Sequence, residues 1–487
     1  MPQPQEIELK FQCAPEDLGR VLAAAPDGED DTAELISVYF DTPGGDLRKA
    51  GASLRVRESR GRRVQTLKRG DGLAREEHES PIAGDAPDPT LGPLSELLPK
   101  AAELKPAFHV RITRRQRLVR FADAEIELAL DQGEVRGGQR SSPISEVELE
   151  LKSGAPAALF DLARELSHAA PIYLSFASKA SRGQALMSGE PLHVQKSARP
   201  APEQGATVAA VFQGIGRSTL KAIAGNAEVL RERADPAALH QLRVAARTLR
   251  SALSTFKVVV ADGEFKRIKG ELRWLAKACN QARNLDVFSE EAEGAAKLDP
   301  APGALAELTT ALEAARAHAY ADVAQTVGST RFRDLLIEVT GWVDTGAWLE
   351  RPEARKPAKP FAFHMLHKRR KKVVKDGQRL EAQSDDGRHQ VRIDAKKLRY
   401  AAEGFQGLFP AKPARRFIEK LKALQDELGA LNDLATQEPM LVHLTLRPEA
   451  AFAAGEIVGR KAADKPKLLA KASKALKRLE ESKPFWC

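Results

Sequence analysis

Cysteine, long apolar runs and a leader segment are scarce or missing in this chain of 487 residues. The three cysteines, Cys13, Cys279 and Cys487, are odd in number and form no Cys-x-x-Cys pair, which argues against a disulfide framework and against zinc. No apolar run reaches about 18 residues, so a transmembrane span is not expected. The first residues lack the basic and apolar regions of a secretory signal. We therefore expect a cytoplasmic protein without a membrane partner.

Charge is abundant but unevenly distributed along the chain. Residues 1–195 contain 25 Lys and Arg against 31 Asp and Glu, whereas the remaining residues contain 51 against 36. The acidic part has the composition of a metal-binding domain, and the basic part has that of a domain for a polyanion. Between them, residues 191–206 are punctuated by proline and lack periodicity, so we place an interdomain linker there.

Aromatic residues are few, and the four tryptophans are scattered through the basic part. Trp274, Trp342, Trp348 and Trp486 show none of the regular aromatic spacing of a base-stacking platform. A nucleic-acid partner is therefore disfavoured, although the basic charge keeps it as an alternative.

Four segments of the acidic part alternate charged with apolar residues, which is the pattern of β-strands with one polar face. In the first segment Glu6, Glu8 and Lys10 alternate with Ile7 and Leu9. The charged members of the other three segments are Arg55 and Arg57, then Glu125, Glu127 and Asp131, then Glu146, Glu148 and Glu150. A single strand of this kind is usually solvated on its polar face, but the recurrence favours a shared polar interior.

Carboxylates and cations in one interior favour a site for phosphate and metal. Clustered carboxylates bind Mg²⁺ or Mn²⁺, which prefer oxygen ligands and often share them with a substrate phosphate. Arginine binds phosphate through its planar fork, and lysine binds it as a point charge. The pattern therefore predicts a metal-assisted polyphosphate site.

Seven short motifs follow one another through residues 1–190. They are Glu6-x-Glu8-x-Lys10, Tyr39-Phe40-Asp41-Thr42, Gly51-x-x-Leu54-Arg55-x-Arg57, Thr66-x-Lys68, Leu130-Asp131-x-Gly133, Glu146-x-Glu148-x-Glu150 and Ser178-Lys179-x-x-Arg182-Gly183. As a set they resemble the CYTH domain, which belongs to the triphosphate tunnel metalloenzymes. The resemblance implies an antiparallel eight-stranded β-barrel with flanking helices, whose polar tunnel hydrolyses or cyclises triphosphates.

The resemblance also implies roles for individual residues. Cations for the substrate phosphates would be Lys10, Arg55, Arg57, Lys68, Arg111, Arg114, Lys179 and Arg182. Carboxylates for Mg²⁺ or Mn²⁺ would be Glu6, Glu8, Asp131, Glu146 and Glu148, with Glu77 and Glu150 as further candidates. Catalysis would depend on Glu6, Glu8, Lys10, Asp131 and Glu148, of which the carboxylates would position or deprotonate the attacking water. Four arginines stand where the family pattern needs one or two, so it is open which of Arg111, Arg114, Arg115 and Arg117 face the tunnel.

The basic part contains an internal repeat. Residues 240–250 match residues 389–399 at a constant offset of 149 positions, without a gap. Helical periodicity gives two stripes, one of His240, Arg243, Arg247 and Arg250 and one of His389, Arg392, Lys396 and Arg399. Like charges at this spacing repel, so the duplication favours a binding function over a solvated face. Converging across a pseudo-twofold axis, the stripes would form one basic groove.

The paired His-x-x-Arg helices resemble the CHAD domain, a conserved-histidine α-helical domain associated with binding inorganic polyphosphate. The resemblance implies an all-α helical-bundle domain over residues 207–487, with repeats at about 207–345 and 358–487. It also adds His364 and Lys368 to the polyphosphate-binding residues. The last segment, residues 461–483, reads as one amphipathic helix whose lysines we expect to be solvated.

We therefore predict an α+β protein of two domains. Residues 1–190 would hydrolyse inorganic triphosphate to diphosphate and phosphate with Mg²⁺ or Mn²⁺, and residues 207–487 would bind long-chain polyphosphate, with polyphosphate granules as a candidate location. One alternative is a tunnel enzyme for a nucleoside or thiamine triphosphate, including an adenylate cyclase. Another is a non-catalytic polyphosphate-granule binding protein. The preferred chain length and the oligomeric state are left open.

Overall fold

The computed structural model describes residues 6–70, 74–98, 102–189, 192–198, 202–295, 302–441 and 446–487. The chain divides into two compact units, one of Met1–Val194 with Gly328–Gly341 and the other of Gln195–Val327 with Trp342–Cys487. Within the described ranges, no helix combines the length and the apolarity that crossing a membrane requires. Part of the predicted linker, residues 191 and 199–201, lies outside the described residues.

The first unit contains a nine-stranded antiparallel sheet in the part of the chain that is described. Its strands are β1 Glu6–Gln12, β2 Asp30–Asp41, β3 Ala52–Ser59, β4 Arg62–Arg69, β5 Ala74–Pro81, β6 Lys105–Phe121, β7 Ala124–Gly137, β8 Arg140–Ser153 and β9 Tyr173–Ser175. The strand order is β5-β4-β3-β2-β6-β7-β8-β1-β9. In addition, the first residues of β1 pair with β5, Glu6 with Arg75 and Ile7 with Ala74.

The sheet differs from the predicted eight strands by β9, which pairs with β1. Three residues are too few to show the alternation by which the longer strands can be recognised in the sequence. The predicted class is nevertheless confirmed, since an antiparallel β unit precedes an all-helical one.

Five α-helices accompany the sheet in the described part of residues 1–189. They are α1 Leu18–Ala24, α2 Asp46–Lys49, α3 Leu94–Leu97, α4 Pro156–Ala169 and α5 Lys179–Ser188, and a 3-10 turn at Pro15–Asp17 precedes α1. Helix α4 packs against β7 and β8, whose apolar residues on that side, such as Leu128 and Leu149, are fully buried. The charged residues of β7 and β8 at the alternate positions therefore point to the opposite face.

The helical part of the chain follows from residue 208 onward. Its helices are α6 Val208–Glu232, α7 Pro236–Thr255, α8 Lys257–Val260, α9 Phe265–Ala278, α10 Asn280–Ala295, α11 Pro302–Gly328, α12 Thr330–Thr345, α13 Pro352–Arg355, α14 Ala358–Gly377, α15 Asp385–Phe405, α16 Ala411–Leu441, α17 Pro448–Ala463 and α18 Lys465–Glu480. Short 3-10 helices occur at Ala347–Glu350, Leu380–Ala382 and Gln406–Leu408.

The sequence repeat corresponds to the helix pairs α6–α7 and α14–α15. Side chains cap both repeated helices: Asp235 accepts hydrogen bonds from the backbone N–H groups of Ala237 and Ala238 at the start of α7, and Ser384 accepts one from Gly387 in α15. Such caps fix where the His-x-x-Arg segments begin.

Aromatic packing in the core follows the same offset of 149 positions. The rings of Phe212 and Phe256 lie 5.4 Å apart between centroids, and the equivalent rings of Phe361 and Phe405 lie 6.1 Å apart. The two equivalent residues Phe256 and Phe405 also contact each other, at 5.4 Å. The C-terminal ends of α7 and α15 therefore meet at a shared aromatic cluster.

Candidate functional site

Three carboxylates form a buried cluster on the charged face of the sheet. Asp131 on β7 and Glu146 and Glu148 on β8 each place an oxygen within 4.8 Å of the others. The register explains the cluster, because Asp131 lies opposite Glu146 and Lys10 of β1 lies opposite Glu148. We call Asp131, Glu146 and Glu148 the carboxylate site.

Three cations contact the carboxylate site directly. Lys179 is the first residue of α5, which begins there because Ser178 caps the helix by accepting from the N–H of Ser181. Its Nζ lies 2.7 Å from Asp131 Oδ2 and 3.0 Å from Glu148 Oε1, and it also pairs with Glu146. Lys10 pairs with Glu148 and, at 2.7 Å, with Glu8.

Arg114 binds the same site through its planar fork. Its Nε and Nη2 donate to the two oxygens of Asp131, each at 2.7 Å, and Nη2 also donates to Glu148. Such bidentate pairs hold both partners in a fixed orientation.

The electrostatics keep these groups charged. Burial alone would raise the pKa of Glu148, but Lys10, Lys179 and Arg114 hold it well below its ordinary range. Burial would also raise the pKa of Asp131, but Lys179 and Arg114 lower it. Burial would lower the pKa of Lys179, and the three carboxylates of the site raise it instead. Asp131 and Glu148 are therefore ionised together with Lys179 at neutral pH.

A second group of cations lies on β3 and β4 of the same sheet. Lys68 Nζ is 2.9 Å from Glu77 Oε2, and Arg55 Nη2 is 3.9 Å from Glu77 Oε1. Burial, together with the charges of Arg55 and Arg114, lowers the pKa of Arg57 to about 10. Arg57 is thus a half-buried cation that neighbouring cations repel, and a bound anion would relieve that repulsion.

Several predicted residues occupy less central positions. Arg182 lies at the edge of the carboxylate site, with Nε 4.0 Å from Glu146 Oε2, and Glu150 pairs with Lys152 at 2.7 Å. The backbone of Glu6 belongs to β1, but its side chain lies outside the described part of the structure. Glu77, a secondary candidate in the sequence, is the direct partner of Lys68.

The prediction for Arg111 needs correction. Its side chain is 64% exposed and pairs with Glu34 at 2.7 Å. Arg115 and Arg117 pair with Asp30 and lie on the same face of β6 as Arg111. Arg114 lies on the opposite face. Of the four arginines, Arg114 alone contacts the carboxylate site, because side chains alternate between the two faces of a strand.

The helical unit contains a cavity of about 640 Å³ whose lining includes seven lysines and arginines and three carboxylates, and we call it the basic cavity. Arg247 of the first stripe lines it together with Arg392, Lys396 and Arg399 of the second stripe. The Nε of Arg247 is buried without a hydrogen-bond partner among the described residues. One member of the first stripe and three of the second therefore share one cavity.

Three further cations of the basic cavity were missed as site residues in the sequence. Lys461, Lys467 and Lys471 line it, and the side chains of Lys467 and Lys471 are also exposed, as was expected of the lysines in this segment. The expected single helix is divided at Asp464 into α17 and α18. The lysine-rich pattern was visible, but which face packs toward the stripes depends on tertiary contacts.

The other members of the stripes lie beyond the lining of the basic cavity. Arg243 donates to the carbonyl oxygen of Cys279 at 2.7 Å, and His389 shares a hydrogen bond with Asn432. Burial, Arg283, Arg247 and Arg243 lower the pKa of His240. Burial, Arg273 and Arg247 lower the pKa of Arg250.

His364 and Lys368 lie apart from the basic cavity, and their role in binding polyphosphate stays a prediction. Both are exposed on α14, and neither lines the basic cavity. Helix α14 instead directs Arg369 inward, where it donates to Thr255 at 2.8 Å.

Comparisons with known proteins agree with this geometry. The CYTH domain model matches residues 4–183, and the CHAD domain model matches residues 214–442. An inorganic triphosphatase of Haemophilus influenzae is 37% identical over 196 residues, which are 38% of this chain and 55% of that protein. The chain thus spans little more than half the length of this curated relative.

A solved structure resembles the helical part. The crystal structure of the CHAD domain from the plant Ricinus communis is 26% identical, with a TM-score of 0.51, and the match covers 58% of this chain and 96% of that chain. The chain therefore belongs to the proteins that join an N-terminal CYTH domain to a C-terminal CHAD domain.

Proposed function

We propose that the carboxylate site and its cations hydrolyse inorganic triphosphate to diphosphate and phosphate with a divalent metal. The observation that carries the proposal is one face of the sheet that holds three buried carboxylates beside Arg55, Arg57 and Arg114. The similarity to an inorganic triphosphatase supports the same substrate.

We further propose that strands β1 to β8 enclose a tunnel. The pairing of Glu6 with Arg75 and of Ile7 with Ala74 supports this, because it joins β1 to the strand at the other end of the order. A closed arrangement would place the charged faces of β1, β3, β4, β7 and β8 around one interior. Residues 1–190 would form this domain, and residues 207–487 the second.

The carboxylate site fits Mg²⁺ or Mn²⁺, because three buried carboxylates offer the oxygen ligands that both ions prefer. Asp131, Glu146 and Glu148 would hold the ion, with Glu6 and Glu8 as further candidates. When bound, a metal ion neutralises phosphate charge and activates water.

The protein's own residues would supply binding and orientation. Arg55, Arg57 and Lys68 would bind the phosphate chain, and Arg114 would bind the terminal phosphate, where negative charge is greatest. Glu148 is ionised, so it can accept a hydrogen bond from water and orient it for in-line attack. In phosphoryl transfer most of the catalysis comes from such positioning and from electrostatic stabilisation.

Phosphate release tests the proposal. Wild type and Glu148→Gln are compared on inorganic triphosphate, ATP, thiamine triphosphate and long-chain polyphosphate, with Mg²⁺ or Mn²⁺ and with EDTA. We expect metal-dependent release selective for inorganic triphosphate, reduced at least about 100-fold in Glu148→Gln. Glu34→Gln, on the opposite face, is the matched control and should retain activity. Preference for ATP or thiamine triphosphate would assign another substrate, and no release from any substrate would leave a binding protein.

We also propose that the basic cavity binds inorganic polyphosphate. The convergence of Arg247 with Arg392, Lys396 and Arg399 supports this, because a flexible chain of phosphates can follow cations from both repeats. Competition between long-chain polyphosphate and duplex DNA, at equal phosphate content and salt, is the test. Tighter binding of polyphosphate is expected, and a preference for DNA would contradict the proposal.

A further inference from the structure

A second cavity of about 290 Å³ lies in the helical unit, and we call it the apolar cavity. Helices α6, α7 and α15 line it, together with residues 196–198. Its apolar wall includes Ile215, Ala252, Phe256 and Phe405, all of which are buried. Its size is close to the lower end of the range for small-molecule sites, and its wall is of the apolar kind that such sites have.

Polar groups are distributed around the same cavity. Gln241 and Thr248 of α7 line it, and so do the cations Lys196, Arg399 and Lys422. One carboxylate, Glu403, also lines the cavity and pairs with Arg399 at 3.6 Å. An alkyl chain could not form hydrogen bonds with the amide and the hydroxyl. An inorganic phosphate could not make apolar contacts with the wall. The combination suits a heteroaromatic body that carries an anionic group.

Tyr400 is the second observation that points to a ligand. It is only 6% exposed, yet its hydroxyl has no hydrogen-bond partner among the described residues. Buried polar groups are nearly always hydrogen-bonded, so such a hydroxyl calls for an explanation. Tyr400 and Arg399 line both the apolar cavity and the basic cavity. The guanidinium of Arg399 lies 4.9 Å from the centre of the Tyr400 ring.

We propose that the apolar cavity binds a nucleoside polyphosphate. The base would lie in the apolar cavity, where Gln241 and the Tyr400 hydroxyl offer hydrogen bonds to its edge. Its phosphates would extend past Arg399 into the basic cavity. Arg399 would then contact both ligands, so the nucleotide would compete with polyphosphate. This competition rests on the proposed function of the basic cavity.

The experiment measures ATP binding to the full chain by calorimetry in EDTA, which removes the divalent metal required for turnover. The parent protein carries Arg55→Ala and Arg57→Ala, so that phosphate binding at the sheet is weakened and the helical unit is unchanged. In this parent we expect ATP to bind at least about tenfold more tightly than inorganic triphosphate. Equal affinity for the two would overturn the proposal, since the base would contribute nothing.

Two substitutions then test the location. Thr248→Phe fills the apolar cavity, and the lost hydroxyl bonded only within α7, to the carbonyl oxygen of Val244 at 2.8 Å. ATP affinity should fall at least about tenfold, while binding of long-chain polyphosphate through Arg247 and Lys396 persists. Tyr400→Phe keeps the ring, removes the hydroxyl and should weaken ATP severalfold. Unchanged ATP affinity in both variants would overturn the proposal.

Lys474→Ala is the matched control on α18, since Lys474 lines neither cavity, and it should bind ATP as the parent does. If Thr248→Phe fails to fold by circular dichroism, Tyr400→Phe decides. Failure of the proposed polyphosphate function is distinguishable, because ATP would still bind in the apolar cavity while long-chain polyphosphate bound nowhere in the helical unit.

Discussion

Arg114 and Arg111 lie three residues apart on β6 and carry the same charge in opposite settings. Arg114 is 13% exposed and contacts Asp131 and Glu148, whereas Arg111 is 64% exposed and pairs with Glu34. The contacts of Arg114 are largely desolvated, whereas the contact of Arg111 with Glu34 is screened by water. The same substitution at the two positions therefore measures what the buried setting contributes.

Arg114→Ala should lower kcat/KM for inorganic triphosphate by about 100- to 1,000-fold, because it removes a preorganised charge at the carboxylate site. It should also destabilise the protein by about 3–5 kcal/mol, because buried carboxylates lose a partner. Arg111→Ala should change both quantities little, as surface ion pairs contribute about 0–1 kcal/mol. Steady-state kinetics and thermal unfolding give the two readouts. A similar loss of activity in both variants would contradict the assignment of Arg114.

We expect His240 to make the proposed binding of polyphosphate dependent on pH. Burial, Arg283, Arg247 and Arg243 lower its pKa in the free protein. Polyphosphate bound beside Arg247 would add negative charge and raise that pKa, so binding takes up a proton. Affinity should therefore increase as the pH falls through the range just below the ordinary value of about 6.5. Calorimetry in buffers of different ionisation enthalpy measures the proton uptake.

His240→Gln should abolish the uptake without removing binding, and His389→Gln is the matched control from the second repeat. His389 shares a hydrogen bond with Asn432, whereas the position equivalent to Asn432 in the first repeat is Arg283, one of the cations that act on His240. Unchanged proton uptake in His240→Gln would show that another group is responsible.

At the scale of the elements, the sequence predicted the faces of the strands better than their pairing. Alternation alone indicated that Glu146 and Glu148 share a face. It could not show that Lys10 lies opposite Glu148, because a register between residues 138 positions apart depends on the whole path of the sheet. The choice among the four arginines of β6 was open for the same reason.

The helices show the same limit. The repeat predicted two stripes, but only packing decides that Arg247 and Arg392 meet in one cavity and that His364 does not. Helix α18 is the clearest case, since Lys467 and Lys471 line the basic cavity while Lys474 and Lys477 do not. A regular lysine spacing carries no information about which lysines face a partner helix.

Helix α18 gives a test with an internal control. Lys467→Ala/Lys471→Ala should weaken polyphosphate binding about tenfold or more, because each lysine that binds a phosphate releases counterions. Lys474→Ala/Lys477→Ala removes the same charge from the same helix, away from the basic cavity, and should have a much smaller effect. Binding is measured at one fixed salt concentration. Equal losses in both variants would mean that net charge alone attracts polyphosphate.

At the scale of the whole molecule, the two candidate sites differ in how water and salt reach them. The groups of the carboxylate site are nearly buried, with Lys10 12% exposed and Glu148 8% exposed. Lys467 and Lys471 of the basic cavity are exposed. The two parts of the chain also differ in net charge, since residues 1–195 carry 25 basic and 31 acidic residues and the remainder carries 51 and 36.

Salt should therefore separate the two functions in the intact protein. Between about 50 and 200 mM salt, affinity for long-chain polyphosphate should fall steeply, by about 10³-fold or more if six phosphates are bound, because counterions compete along an exposed polyanion. KM for inorganic triphosphate should change far less over the same range, since salt screens buried charges weakly. Filter binding and phosphate release on one preparation measure both. Parallel salt dependence would contradict the assignment of triphosphate to the buried carboxylate site.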